Sequence, residues 1–188
     1  ARLEEAVEEQ SSEYAREGSF AHELAELYLA QELGLIKKSD FNKRLKELRQ
    51  NPFYSEELDA YVKIYLDFAI EKINGARART RDAVVLLEMK LDYSTWVPEG
   101  FGTGDLVLVT DDVLEVIDFK YGRGIQIGAE DNPQMRLYAL GALSQFGCLY
   151  EVNIVRMTIV QPRLDSISTD EMAVEELVDW GEKMVKPI

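Results

Sequence analysis

The 188-residue chain is almost empty of the side chains that staple small folds and cage soft metals. It has one cysteine, Cys148, and one histidine, His22. A single cysteine excludes an internal disulfide framework and a cysteine-rich zinc or iron–sulfur site. It fits a reducing, intracellular home. No apolar run approaches the roughly 20 residues that span a bilayer. The opening stretch, ARLEEAVEEQSSEYAREG, lacks the apolar core of a signal peptide, so a membrane is not an expected partner. Positive charge is also scarce: 21 Lys and Arg against 35 Asp and Glu, a net −14. That excludes a generic nucleic-acid-coating protein, which would be basic. It leaves room for a protein that touches nucleic acid locally. RARTR, residues 77–81, is a local basic strip, read as a solvated loop between a helix and a strand.

What is present suffices for one domain and its core: apolar residues make up 46% of the chain. Residues 19–33 have a helical pattern, with Ser19 as cap and Gly34 as stop. A short helix is predicted from Asp40 to Gln50, broken by Asn51-Pro52. Ser55 opens a long amphipathic helix ending at Gly75. Beyond this helical part, about 1–76, the pattern becomes β-rich over about 83–165. Strands are expected at 83–96, 105–109, 113–120 and 152–164, with a helix at 132–147 capped by Asn132 and started by Pro133. Ser168 and Glu171 resemble a capping box before a closing helix at 169–185. The order predicts a single α/β domain over 1–188: a mixed β-sheet flanked by helices, with a helical N-terminal part. The start at Ala1 and the stop just after a helical pattern suggest a fragment of a longer protein.

The stretch GTGDLVLVTDDVLEVIDFKYGRG, residues 102–124, carries acids inside two strands. If Asp111-Asp112 form the turn, Thr110 pairs with Val113 and Asp105 falls opposite Asp118. Alternation puts Asp105, Asp118 and Lys120 on one face. Facing carboxylates about 5 Å apart repel unless a cation sits between them. Magnesium or manganese does that with oxygen ligands. The bland alternative is an exposed acidic hairpin neutralised by one lysine. Gly102, Gly104, Gly122 and Gly124 flank the pair and admit another backbone, the protein's own or a ligand's.

Four motifs in order resemble the PD-(D/E)XK nuclease superfamily in its RecB-like branch: GSFAHELAE at 18–26, GTGD at 102–105, DFK at 118–120 and QMRLY at 134–138. The wording around them most resembles a phage- and prophage-borne exonuclease-like family of that branch. The resemblance implies a restriction-endonuclease-like fold. It implies a metal held by His22, Asp105, Asp118 and the backbone carbonyl of Phe119. Lys120 would act on the attacking water, and Gln134 and Tyr138 would position the nucleic acid or brace the catalytic strand. The implied catalytic set is Asp105, Asp118, Lys120, Gln134 and Tyr138, with Mg2+ or Mn2+ as cofactor. The implied function is hydrolysis of DNA phosphodiester bonds during phage or bacterial DNA processing or recombination, in the cytoplasm of a bacterial or phage-infected cell. The partner is nucleic acid, with a phage or recombination protein as a further candidate. Some relatives carry a cysteine cluster beyond this region; here only Cys148 is available.

Without that resemblance, a lone helical histidine such as His22 is more often structural. Glu26, one turn later, could hold its tautomer. Glu88 could add a carboxylate or simply face solvent. Gln134 and Tyr138 could equally be a helix edge against the core. The same fold could also serve as a non-catalytic nucleic-acid-binding or assembly module.

Overall fold

The structure, a computed structural model, describes residues 2–186, with side chains from residue 10 onward. Three helices come first: α1 (Arg2–Glu32), α2 (Lys38–Leu48) and α3 (Glu56–Arg79). A hairpin-rich half follows: β1 (Val84–Asp92), β2 (Phe101–Val109), β3 (Val113–Phe119), α4 (Pro133–Phe146), β4 (Ile154–Gln161) and β5 (Ser166–Ala173). The described chain closes with α5 (Val174–Trp180) and a π turn, Gly181–Val185.

The five strands form one sheet in chain order, β1-β2-β3-β4-β5. Only β3 and β4 are parallel. They need a crossover, and α4 supplies it. The architecture is the expected one: a mixed α/β sheet flanked by helices with a helical N-terminal part, consistent with a restriction-endonuclease-like arrangement. Period-two alternation in β2 and β3 sends apolar side chains to both faces. Leu106, Leu108, Ile117 and Phe119 pack under α1 and α3 with Leu24, Val62, Tyr65 and Ala69. Val107, Val109, Leu114 and Val116 pack under α4 with Met135, Ala139 and Leu140. Every residue of β3 is buried. Each of its apolar side chains contributes about 1.5–3 kcal/mol by leaving water, whereas burying its two acids, Glu115 and Asp118, is costly.

The hairpin register is as expected. Thr110 N–H donates to the Val113 carbonyl, and Leu106 faces Ile117. Asn132 accepts from Met135 N–H and Ser55 from Leu58 N–H, so both expected caps form.

Four expectations are corrected. Ser19 does not cap α1, which runs from Arg2; its hydroxyl donates to the Ala15 carbonyl in mid-helix. Gly75 does not end α3, which continues to Arg79. Much of the RARTR strip is therefore helical rather than loop, and Arg79 ties that helix end to Asp111 and Asp112 of the β2–β3 turn. Ser168 and Glu171 do not open a helix. They lie in β5, an edge strand of alternating exposure paired along β4. The Ser168 hydroxyl accepts from Ala129 N–H, tying down the loop before α4, and α5 starts only at Val174. The sheet thus has five strands rather than four.

No helix among the described residues is long and apolar enough to cross a membrane.

Candidate metal site

The polar cluster forms where the β2–β3 ladder stops. Pairing ends at Leu106–Ile117. One residue further on, Asp105 replaces the next ladder bond with its side chain: Oδ2 accepts from Phe119 N–H at 2.6 Å. Its Oδ1 lies 2.9 Å from Nδ1 of His22 on α1. The His22 ring leans on Phe119, centroids 5.0 Å apart, and Phe119 stacks on Tyr65 at 4.5 Å. The imidazole is thus held by a carboxylate at its edge and an aromatic ring beside it. Asp105, not Glu26, is the partner of Nδ1; exposed Glu26 lines the same cavity.

Glu88 completes the group. In β1 it sits between Leu87, opposite Leu106, and Met89, opposite Gly104, so its ladder position faces Asp105. It has left that ladder, with φ of +46°. A non-glycine residue there is strained by about 1–2 kcal/mol. The outcome is that ligand atoms of His22, Glu88 and Asp105 lie within 4.8 Å of one another. Asp118 is not in that trio. It is buried beside it, and its Oδ2 pairs with Lys120 Nζ at 3.0 Å without hydrogen-bond geometry.

Lys120 links this acid to α4. Its Nζ also donates to Gln134 Oε1 at 3.2 Å, and Gln134 Nε2 donates to the Tyr138 hydroxyl at 3.1 Å. Gln134 and Tyr138 therefore hold the lysine in place. The glycines before Asp105 are explained by the protein's own side chains. A Cβ at Gly102 would lie 2.2 Å from Tyr138 Cε1, and one at Gly104 would lie 2.9 Å from Leu91 Cδ1.

The electrostatics describe crowded acids. Burial, then the charge of Asp105, push Glu88 up to about 7. Burial and Asp105 likewise push Asp118 up to about 6 against the opposing pull of Lys120. Burial lowers His22, but its hydrogen bond to Asp105 and the charges of Asp105, Asp118 and Glu88 outweigh it, so it is raised. For the two carboxyls burial is the larger cause and the neighbouring negative charge adds to it.

These residues fit a hard divalent cation. Asp118 keeps a buried oxygen without a hydrogen-bond partner. The donors are carboxylates with one imidazole, the set suited to Mg2+ or Mn2+ rather than a thiophilic metal. The 2.9 Å between His22 Nδ1 and Asp105 Oδ1 matches a shared proton. It also matches the roughly 3 Å between adjacent ligands that each lie about 2.1 Å from one octahedral ion.

An α/β fold with a partly buried acid–histidine cluster and an adjacent lysine thus defines the molecule. The chain belongs to the DUF2800 family, described as "Protein of unknown function (DUF2800)", whose profile matches residues 1–188. One solved structure, the crystal structure of SSO0001, is similar at 13% identity over 85% of this chain and 83% of that one, with a TM-score of 0.29. So distant a likeness says nothing of activity.

Proposed function

We propose that the protein is a divalent-metal-dependent nuclease of the PD-(D/E)XK superfamily, RecB-like branch, that hydrolyses DNA phosphodiester bonds in phage or bacterial DNA processing. One observation carries this reading: His22, Glu88 and Asp105 converge beside an Asp118–Lys120 pair on the neighbouring strand. His22, Asp105 and Glu88 would hold Mg2+ or Mn2+, with Asp118 and the Phe119 carbonyl at its border. Bound there, the ion lowers the pKa of its water and offsets phosphate charge.

The side chains do the rest. Asp105 orients His22 and fixes the start of the Phe119–Lys120 segment through the Phe119 N–H. Lys120 uses one N–H on Gln134 and lies 3.0 Å from Asp118 Oδ2 as an ion pair. An ammonium has three donors, so one remains for the attacking water or a non-bridging phosphate oxygen. The water oxygen bonds to phosphorus and gives up a proton to solvent, the P–O bond to the leaving sugar breaks, and the displaced oxygen takes a proton from solvent. Gln134 and Tyr138 keep Lys120 at the site rather than touch the reacting atoms themselves.

Labelled linear and circular DNA incubated with Mn2+, Mg2+ or EDTA tests this. Cutting should require the metal. Lys120→Ala should lower single-turnover cleavage on the order of 10²–10⁴-fold while leaving metal affinity intact. A lysine variant that cuts at the wild-type rate sinks the mechanism. A wild type that binds DNA but never cuts it supports the non-catalytic module instead.

A further inference from the structure

The residues that follow Lys120 in the chain help to line a cavity of about 470 Å³, formed by Tyr14, Glu17, Tyr121, Arg123, Arg163 and the backbone of Gly122 and Gly124. We propose that it is a binding subsite for a single DNA strand, with Arg123 and Arg163 taking a phosphate and Tyr14 stacking on a base. Rigid aromatics next to guanidiniums are the means by which single strands are held without sequence preference.

Three observations on the cavity converge. Its two cations outnumber its one carboxylate, Glu17, in a chain that is otherwise strongly acidic. Arg163 lies over the rings of Tyr121 at 4.7 Å and Tyr61 at 5.9 Å, and among the described residues neither it nor Arg123 is in an ion pair. A stacked guanidinium keeps N–H groups at its edge for a phosphate. Tyr14 is 61% exposed, too much for a tyrosine that serves the core.

The loop is also built rather than loose. Gln161, at the end of β4 and 1% exposed, donates to the carbonyls of Gly122 and Ile125 at 2.7 and 2.9 Å and accepts from Ile127 N–H at 3.1 Å. Within that fixed loop, a Cβ at Gly122 or Gly124 would meet nothing within 4 Å, and neither residue has a positive φ. The fold does not require glycine there. The open backbone leaves room for a strand to lie against it.

Position joins the subsite to the cluster. Tyr121 follows Lys120 directly. Tyr14 precedes His22 on α1 by about 12 Å along the axis. A strand leaving the metal site along α1 would pass the cavity. Only this last step rests on the nuclease reading; the strand binding itself does not.

Fluorescence anisotropy of a labelled oligothymidylate with the full chain in EDTA separates the two. Wild type should bind. Tyr14→Ala should weaken binding about 5- to 100-fold at an unchanged salt slope, and Tyr14→Phe should restore it. Arg123→Ala, at an exposed position, should reduce the slope of log affinity against log salt by about 0.7, the loss of one phosphate contact on a single strand. Gly122→Ala should lower affinity at an unchanged melting temperature. Wild type that does not bind overturns the subsite, as do Tyr14→Ala and Arg123→Ala that match wild type in affinity and slope. If those variants match wild type and wild type still cuts DNA with Mn2+, the subsite falls and the nuclease stands. If the variants lose binding and wild type never cuts, the subsite stands and the nuclease falls.

Discussion

Glu88 combines a left-handed backbone with a carboxyl pushed far from its ordinary pKa. Its φ is +46°, and burial, then the charge of Asp105, push its carboxyl up to about 7. Asp118, pushed to about 6, shares the problem. A carboxyl whose folded pKa is raised binds more protons folded than unfolded. Its stabilising contribution is full below the ordinary range near 4 and is lost as pH rises through the folded value. His22, also raised, works in the same direction between its ordinary value and its folded one. Without metal, then, Glu88→Gln and Asp118→Asn should each gain stability relative to wild type between about pH 5 and pH 8. For the buried Asp118 the gain is on the order of 1–2 kcal/mol, discounted for nearby Lys120; for the more exposed Glu88 it is smaller. Urea denaturation of EDTA-treated protein at several pH values measures this. A stability difference that stays flat with pH would show that the acids are not crowded.

At the scale of elements, the reliable signals were those written locally. Asn132-Pro133 and Ser55 cap their helices because each side chain needs only its own next turn. The β2–β3 register followed from a two-residue Asp turn and strict alternation, and this alone put Asp105 and Asp118 at the same level of the sheet. β5 was illegible because Ser-Thr-Asp-Glu spells a helix start in isolation, while the vacant edge of β4 and the hydrogen bond from Ala129 to Ser168 decide otherwise. Glu88 remained ambiguous because nothing local marks a reversed φ. Gly102 stands out in the sequence, but its reason lies 36 residues away on α4, in the Tyr138 ring. Gly102→Ala should therefore displace Tyr138, costing about 1–3 kcal/mol of stability. It should also slow cleavage by freeing Gln134 and Lys120. In a Tyr138→Ala background the same substitution should cost far less, giving a coupling above about 1 kcal/mol in a double-mutant cycle by urea denaturation. Additive effects would mean that ring and strand do not touch.

The whole molecule splits into two apolar cores, one under α1 and α3 and the other under α4, and the polar cluster lies between the layers they define. His22 comes from the helical layer, Glu88, Asp105 and Asp118 from the sheet, and Gln134 and Tyr138 from the crossover helix. A cation held by His22, Glu88 and Asp105 would therefore tie the first helix to the sheet at a point where the chain otherwise sets like charges together. Binding confined to the folded state raises stability by mass action, about 2.7 kcal/mol at a hundredfold excess over Kd. For a domain of this size that is a rise in Tm of roughly 5–10 °C. Mn2+ should produce such a rise over EDTA in wild type. Glu88→Gln should shrink it, and Asp105→Asn should remove it, since Asp105 alone contacts both His22 and the β3 backbone. Asp118→Asn discriminates between ligand sets: it keeps most of the rise if His22, Glu88 and Asp105 form the cage, and loses it if Asp118 is a ligand. Equal melts of wild type in Mn2+ and EDTA would mean that the crowded acids are held by the fold alone, with Lys120 as their counter-ion.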